Sequence, residues 1–312
     1  MLLELNHDTP VIVQGISGRM GQTHARLMQR YGTRIVGGTS SRPAASDDAF
    51  LVFPDCAAAV AATGAQLSLL MVPPLQTLVA VQEAVHAGLR AVVTVGEGVP
   101  VLDALRIHAL TREAGVTWLG ASTPGLCIPG ELKVGFLPDV ALAPGRIGVM
   151  SKSGTLSYEV GYRLVALGHG QSAWIGVGGD PVKGLRFADL AAGFAAHDRT
   201  AALVLVGEIG GTEEEDFAAA WQALHCSKPV FALIAGAQAK EGVTMGHAGA
   251  LVMGRRGTLQ SKQAALRAAG VRVFSSIKSL VQAIDSELGP APCGVVAPRR
   301  ISIDHSQEGD KS

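Results

Sequence analysis

What this chain lacks excludes several classes of protein. It has no run of about 18 uninterrupted apolar residues, so no membrane-spanning segment is expected, and its N-terminus, MLLELNHDTP, resembles neither a secretory signal nor a transit peptide. The four cysteines have no C-x-x-C spacing, which indicates neither a zinc site nor a disulfide framework and is typical of a cytoplasmic protein. Lysine plus arginine and aspartate plus glutamate both number 26, and this balance favours neither nucleic acid nor an anionic membrane as a partner.

What is present is typical of a soluble α/β enzyme with two domains. The chain has 312 residues, more than one hydrophobic core usually holds, and it is 48% hydrophobic with 39 glycines. Apolar runs without alternation, such as LSLLMVPP, AVVTVGEG and VTWLGAS, are separated by Ala-rich helical stretches, which predicts a parallel sheet covered on both faces. A second such series follows the Pro/Gly-marked connector PDVALAPGR. We therefore predict domains at residues 1–142 and 143–290 and a poorly ordered tail at 291–312.

The segment GISGRMG follows the first predicted strand and opens a helix, with glycines at positions 15, 18 and 21. Small residues there let a phosphate approach backbone N–H groups at the positive end of the helix. A dinucleotide is one candidate ligand, but the second predicted strand ends in GGTSSR, without an acidic residue for the ribose hydroxyls. Arg42 in that segment suits a phosphate on the ribose, either of NADP or of coenzyme A. The loop alone leaves both ligands open.

A single histidine, His247, lies among small residues in GVTMGHAGAL, with no Asp, Glu or Cys within five residues. Its setting indicates no metal site and predicts that another molecule approaches the imidazole closely. Two other segments, SKSGTLSYE and IGGTEEED, place small and hydroxyl residues at helix starts, and two helix N-termini can bind one phosphoryl group. These residues are Ser153, Gly154, Thr155, Gly210, Gly211 and Thr212. We interpret the acidic run at 213–216 as a first-turn charge bias, not as a metal site.

Five segments resemble the alpha subunit of succinyl-CoA synthetase, and they occur in that family's order. They are VIVQGISGRMGQTHARLMQRYGTRIVGG, RIGVMSKSGTLSYEV, GVGGDPVKG, VLVGEIGGTEEEDFA and MGHAGALVMGRRGTLQSKQAALRAAGV. The combination of GEIGG and GHAGA is a specific signal, whereas the glycine loop alone is a weak one. The resemblance implies an α/β fold with an N-terminal Rossmann-like CoA-binding domain and a C-terminal flavodoxin-like domain.

The resemblance also implies a reaction. An acyl-CoA and phosphate give an acyl phosphate, whose phosphoryl group passes to the histidine of GHAGA, here His247, and then to a nucleoside diphosphate. The family holds that nucleotide, ATP or GTP with Mg, on an ATP-grasp beta subunit, so we expect a heterodimer or heterotetramer and a small carboxylic acid substrate. Glu208 in GEIGG is expected to bond the other imidazole nitrogen. Tyr158 matches the family's substrate-side tyrosine.

Coenzyme A contacts are implied at two segments, the glycine loop and VGEG. The matching residues are Ser17, Gly18, Arg19, Met20, Val95, Gly96 and Glu97. The family's Pro-Gly-Lys-Gly-Gly after strand two, whose lysine meets CoA, is replaced here by TSSRPAASDDAF. Arg42 is the predicted substitute, although a guanidinium fork differs from an ammonium point charge.

The segment near the acyl group also departs from the family. Gly-Pro-Asn-Cys-Pro-Gly is replaced by GASTPG, so Ser122 and Thr123 put hydroxyls where the family has an amide and a thiol. This change predicts an acid other than succinate. Two alternatives stay open: an NAD(P)-dependent reductase built on GISGRMG, which leaves the second domain without a role, and a CoA-binding protein without ligase activity, against which the intact His247 and Glu208 count.

Overall fold

The computed structural model of the protein describes residues 2–41, 49–236, 247, 249–250 and 257–289. The N-terminal part forms a six-stranded parallel sheet, sheet A, in the order β3-β2-β1-β4-β5-β6. Its strands are β1 (Val11–Gln14), β2 (Ile35–Thr39), β3 (Val52–Phe53), β4 (Leu67–Leu70), β5 (Ala91–Thr94) and β6 (Thr117–Gly120). The helices between them are α1 (Arg19–Tyr31), α2 (Cys56–Thr63), α3 (Thr77–His86) and α4 (Val101–Glu113). The strand order reverses between β1 and β4, and a binding crevice opens at the carboxyl ends of strands at such a switch point.

Residues from 125 onward form a seven-stranded sheet, sheet B, in the order β13-β12-β11-β9-β10-β7-β8. Its strands are β7 (Gly125–Ile128), β8 (Leu132–Gly135), β9 (Pro144–Ser151), β10 (Gln171–Gly176), β11 (Ala202–Glu208), β12 (Val230–Ala235) and β13 (Arg272–Phe274). Its helices are α5 (Gly154–Ala166), α6 (Phe187–Ala196), α7 (Glu213–Ala223), α8 (Leu259–Ala268) and α9 (Ile277–Leu288). Among the described strands of this sheet, β7 runs antiparallel to both of its neighbours, β10 and β8.

The central strands form because their sequences are apolar on both faces. Strands β1, β10 and β11 are buried at every position, and Val11, Ile12 and Val13 have no exposed surface. Continuous burial of this kind is the property of a parallel sheet with helices on both faces. The predicted α/β fold class, with a parallel Rossmann-like sheet followed by a second sheet, is confirmed, although sheet B is mixed because β7 runs antiparallel in it.

The hairpin of β7 and β8 was not anticipated from the sequence. It precedes the boundary predicted at residues 142 and 143, yet it pairs with β10 in sheet B. The same hairpin packs against α1 of the first sheet's layer, where the Thr33 hydroxyl donates to the Lys133 carbonyl at 2.7 Å and the Gly135 amide lies 3.3 Å from Met28 Sδ. The boundary itself stays a prediction, and the hairpin connects the two sheets physically.

The carboxyl end of β6 meets the loop that follows β10. The amide of Gly184 donates to the Gly120 carbonyl at 2.8 Å, and that of Leu185 to the Trp118 carbonyl at 2.9 Å. The turn between β6 and β7 is held in the same way, because the Ser122 amide donates to the Gly96 carbonyl at 3.1 Å. These bonds bring the loop ends of the two sheets to one place.

Among the described residues, no helix combines the length and the apolar character needed to cross a membrane. The same residues contain no cluster of His, Cys, Asp and Glu suited to a metal ion. Cys56, Cys127 and Cys226 are free thiols. Cys293, Arg42 and the predicted tail at 291–312 lie outside the described residues.

Candidate functional site

A carboxylate and an imidazole pair at the end of β11. Glu208, the last residue of that strand, is buried, and its Oε2 lies 2.6 Å from Nδ1 of His247. The His247 side chain keeps 25% of its surface exposed. The hydrogen bond that His247 donates to the Glu208 carboxylate raises the pKa of His247 above its usual value. Because Nδ1 donates its proton to the carboxylate, the neutral ring has its free lone pair on Nε2.

The ring of His247 lies against the bare backbone of Gly179. A Cβ atom at position 179 would stand 2.4 Å from Cγ and 2.6 Å from Nδ1 of the imidazole. The backbone closes around the same place, since the Gly249 amide donates to the Gly179 carbonyl at 3.2 Å and the Ala250 amide to the His247 carbonyl at 3.0 Å. Only glycine at position 179 leaves room for the ring in this position.

Two further carboxylates act on His247 from the loops after β5 and β10. The charge of Glu97, which is exposed, raises the proton affinity of the ring. Asp180 interacts with both Glu97 and His247, and burial raises the pKa of its own carboxyl. The Ser122 hydroxyl donates to Oε1 of Glu97 at 3.3 Å. The sequence assigned Glu97 to a CoA segment and Ser122 to the acyl group, and the structure brings both toward the imidazole.

A buried group of oppositely charged side chains lies at the start of α7, next to the backbone of Glu208. The Glu214 side chain is fully buried, its Oε1 lies 3.1 Å from Lys152 Nζ, and its Oε2 bonds Lys262. Burial by itself raises the pKa of Glu214, but the two lysines hold it below its usual value. Oε1 of Glu214 also accepts the Glu208 amide at 3.0 Å, so this group fixes the strand end that presents Glu208.

The carboxyl ends of β1 and β4 open into a separate cleft of about 640 Å³, lined in part by Gly15, Gly18 and Met71. Gly15 has a φ of 84°, and a Cβ there would stand 2.5 Å from the Met71 carbonyl oxygen. A Cβ at Gly21 would stand 2.2 Å from the Gly15 carbonyl oxygen. The loop therefore needs glycine at both positions to turn tightly into α1.

The loop also holds an unpaired donor. The Ser17 hydroxyl is buried and has no hydrogen-bond partner among the described residues. Arg19 and Met20 begin α1 and are exposed beside it. A buried hydroxyl at a positive helix end suits a phosphate group, so the residues present fit a phosphorylated ligand such as coenzyme A.

Comparisons with known proteins show the family of the chain. The family model of the CoA binding domain matches residues 6–98, and the CoA-ligase family model matches residues 150–272. Succinate–CoA ligase (ADP-forming) subunit alpha 1 of Archaeoglobus fulgidus is 44% identical over 281 residues, which is 90% of this chain and 96% of that one. This chain belongs to the succinate–CoA ligase alpha-subunit family.

The family includes relatives named for different acids. The ADP-forming sulfoacetate-CoA ligase subunit SauD of Bilophila wadsworthia is 37% identical over 291 residues, 91% of this chain and 99% of that one. Among solved structures, ATP citrate lyase of Methanosaeta concilii shares the fold with a TM-score of 0.82 at 22% identity. That match covers 91% of this chain, which spans about half of the lyase, 51% of its length.

Helix α5 has the first of the two N-termini that the sequence of this alpha-subunit family member predicts as binding sites for a phosphoryl group. Ser153 is the N-cap, and its hydroxyl accepts the Leu156 amide at 3.3 Å. Gly154 follows, close enough that a Cβ there would stand 3.2 Å from the Tyr158 hydroxyl, and Thr155 is exposed. The Tyr158 ring is 6.1 Å from that of Trp174, and burial raises the pKa of its hydroxyl.

The second predicted helix terminus is α7, and it differs from the expectation of free backbone amides. Gly210 and Gly211 have φ values of 86° and 57°, and Thr212 is the N-cap. The Gly210 amide already donates to the Gly257 carbonyl at 2.8 Å. The Thr212 hydroxyl donates to Asp216 at 3.0 Å. A phosphoryl group at this terminus therefore has the amides after Gly210 available, not that of Gly210 itself.

The two hydroxyls of GASTPG have different positions. Ser122, with a φ of 55°, faces Glu97, as described above. Thr123 is buried, its hydroxyl donates to the Gly176 carbonyl, and it accepts the Gly125 amide at 2.9 Å. Both hydrogen-bonding directions of Thr123 are used by the backbone, so Ser122 is the hydroxyl that can meet a substrate.

Sequence reasoning missed the loop after β10 as part of the site. Gly179, Asp180 and Lys183 in GVGGDPVKG all act on His247, through contact or through charge. The segment had served only to show the family resemblance. Its double glycine followed by an acid was the available signal, since such a loop lets another residue pack closely on the backbone.

Proposed function

We propose that this chain is the alpha subunit of a nucleoside-diphosphate-forming acid–CoA ligase in which His247 takes up the phosphoryl group. The observation that carries the proposal is the 2.6 Å contact between His247 Nδ1 and Glu208 Oε2. It fixes the neutral tautomer with the lone pair on Nε2, and this is the nitrogen that we propose attacks the phosphorus of an acyl phosphate. The N–P bond forms as the bond from phosphorus to the acyl oxygen breaks, and the acid leaves as its carboxylate.

Glu208 contributes in both directions of this transfer. The Nδ1 proton stays between the imidazole and the carboxylate, which stabilises the positive charge that the phosphorylated ring acquires. When the phosphoryl group moves to a nucleoside diphosphate, the N–P bond breaks and the lone pair returns to Nε2. The 25% exposure of the His247 side chain leaves an approach for a nucleotide held by another subunit.

The proposed partner is an ATP-grasp beta subunit that holds ATP or GTP with Mg, in a heterodimer or heterotetramer. The name of the Archaeoglobus relative, an alpha subunit, supports a separate partner chain. Coenzyme A is proposed to bind at the glycine loop, where the Ser17 hydroxyl offers an unpaired donor. The scarcity of cysteine is consistent with a cytoplasmic complex.

The proposed acid is a small carboxylic acid other than succinate. Ser122 bonds Glu97, whose charge acts on His247, and it presents a hydroxyl where the family pattern has an amide. The 37% identical sulfoacetate-CoA ligase subunit supports a range of acids within the family. A hydroxylated, branched or sulfonated relative of succinate fits this change.

Phosphorylation of His247 tests the proposal directly. Incubation with ATP, Mg and the beta subunit is expected to give an acid-labile, base-stable phosphoryl label, which His247→Asn abolishes. Glu208→Gln is expected to slow labelling while CoA binding, measured by thermal shift, stays as in the wild type. Label that persists in His247→Asn would place the phosphoryl group elsewhere and contradict the proposal.

A further inference from the structure

Lys183 is a buried cation that sequence reasoning did not single out. It lies in the loop between β10 and α6, it is 1% exposed, and its ammonium group bonds the Gly178 carbonyl. The same group lies 3.0 Å from Oε1 of Glu213 in the first turn of α7. Burial lowers the pKa of Lys183, and Glu213 is the opposite charge that offsets this. A buried ion is retained in a fold only when such a partner compensates its desolvation.

The loop that Lys183 holds is the one on which the imidazole rests. Gly179, one residue after the bonded carbonyl, lies directly against His247. Gly178, with a φ of 90°, is so close to the turn after β6 that a Cβ would stand 2.1 Å from the Ala121 carbonyl oxygen. A shift of this loop would therefore move Gly179, against which the imidazole lies, together with the turn that presents Ser122.

Glu213, the carboxylate partner of Lys183, belongs to the buried group of charged side chains next to Glu208. Glu213 Oε2 lies 4.0 Å from Lys152 Nζ, and Lys152 bonds Glu214, which accepts the Glu208 amide. The ammonium group of Lys183 is thus the link between the loop under the imidazole and the helix turn that fixes the imidazole's carboxylate.

We propose that Lys183 and Glu213 are positioning residues that clamp the 177–184 loop to the first turn of α7 and so keep the His247 ring in register with Glu208. This inference rests on the proposed phosphoryl transfer at His247. Neither side chain needs to touch the phosphoryl group, because both act through the loop backbone and through their charge.

The charges that face His247 make the role of Lys183 measurable. Among the described residues they are Glu208 from β11, Glu97 from the loop after β5, and Asp180 and Lys183 from the loop after β10. Lys183 is the positive group in this set, and its charge lowers the pKa of His247. Removing that charge alone would raise the pKa, whereas losing the Glu208 hydrogen bond, the largest cause of the raised pKa, lowers it. Loss of the clamp should therefore lower the pKa of His247. Since Nε2 must be unprotonated to accept a phosphoryl group, the acid limb of the pH–rate profile should move to lower pH.

Lys183→Met tests the clamp, and Lys133→Met is the matched control. Lys133 is likewise a buried lysine, 4% exposed and paired with Asp139, but it lies in β8. In the reconstituted complex, Lys183→Met should slow His247 phosphorylation by about 10-fold to 100-fold, as expected for a misplaced reacting group, and shift the acid limb to lower pH. Lys133→Met should lower the melting temperature without moving that limb. A wild-type rate and pH profile in Lys183→Met would overturn the proposal.

A double variant separates positioning from simple stability. Lys183→Met with Glu213→Leu removes both buried charges, which often restores stability lost in the single variant. The clamp predicts that the double variant folds but stays slow. Recovery of the wild-type rate together with stability would show that the pair is only structural and would overturn the inference.

A titration without turnover distinguishes this failure from that of the proposed function. The imidazole of His247 can be followed by NMR in the free chain, with His247→Asn to assign the signal. An unlabelled wild type would refute phosphoryl transfer, while a lower His247 pKa in Lys183→Met would still support the clamp. An unchanged or higher pKa in a folded Lys183→Met would refute the clamp even if labelling occurs.

Discussion

The cleft of sheet A and the site at the end of sheet B differ in the chemical groups that they offer to a ligand. The cleft is lined in part by the backbone of Gly15 and Gly18, and the same glycine loop carries the unpaired hydroxyl of Ser17. At the end of sheet B the chain offers charged side chains, most of them buried and already paired before any ligand arrives.

The difference follows from what each place has to do. Backbone amides at a helix end can bind a phosphate of constant charge without titrating or reacting. A ring that accepts and releases a phosphoryl group passes through changes of charge, and preorganised ions stabilise those changes without rearranging. Sequence changes in the cleft should therefore alter affinity, and changes around His247 should alter rate.

The sharpest test of that division is Gly179→Ala. The new Cβ would stand 2.4 Å from the imidazole, so the ring must move and phosphoryl transfer should fall by about 100-fold. Overpacking should also reduce stability by about 1–3 kcal/mol. The stabilisation by CoA, measured by thermal shift, should be unchanged.

Gly193→Ala is the control for that substitution, because a Cβ there meets only a Leu3 side-chain atom at 3.4 Å. It should leave both the labelling rate and the CoA response as in the wild type. If Gly179→Ala phosphorylates normally, the ring does not depend on this close contact.

A smaller effect is expected where the two regions meet, at Ser122. In a panel of small acids with CoA, ATP and the reconstituted pair, succinate should be a poor substrate, because a site with its own polar group discriminates against an acid that cannot pair with it. Ser122→Asn should raise the kcat/KM for succinate by about 10-fold relative to the preferred acid. Its φ of 55° is one that asparagine readily adopts.

Thr123→Cys is the companion variant, and it should change the preference little, since the Thr123 hydroxyl already bonds the backbone. Succinate with the highest kcat/KM in the panel would show that the changes in GASTPG do not set the choice of acid.

The smallest effect is expected in the cleft, from Ser17→Ala. The hydroxyl has no protein partner in the described chain, so its loss should leave the melting temperature of the free protein unchanged. A ligand at 100 times its Kd stabilises a protein by about 2.7 kcal/mol, and CoA should produce such a shift in the wild type. Ser17→Ala should weaken CoA binding by about 5-fold to 10-fold, the value of one hydrogen bond.

NADP serves as the competing ligand in the same titration. Stabilisation by NADP and not by CoA would contradict the assignment of the cleft and favour the reductase alternative. A drop in stability of the free Ser17→Ala protein would show instead that the hydroxyl has a structural partner.

The sequence predicted the fold class well because the central strands depend on short apolar runs. The runs around Val11–Val13 and Ala202–Val206 became buried strands without any long-range information. The β7–β8 hairpin was missed because its pairing with β10 joins residues about fifty positions apart. Local pattern alone does not report which sheet such a strand will join.

The site residues that belong to a recognisable sequence motif could be predicted. Those whose role depends on burial in the folded chain could not. His247 and Glu208 were identified from GHAGA and GEIGG, and the structure places them in contact. The acidic run after Thr212 looked like a solvated first turn, but Glu213 and Glu214 are buried against lysines from other loops. The spacing of EEED does not indicate these lysine partners, because each lysine comes from a different part of the chain.

The hairpin that joins the two sheets limits how this protein can be divided. A fragment that ends at residue 142 would keep β7 and β8 without β10, and would present an unpaired strand edge prone to association. A cut that leaves both sheets whole must fall between Gly120 and Gly125, inside the turn that presents Ser122. The place at which the two halves can be separated is therefore part of the site, so the half that carries His247 cannot be isolated with its chemistry intact.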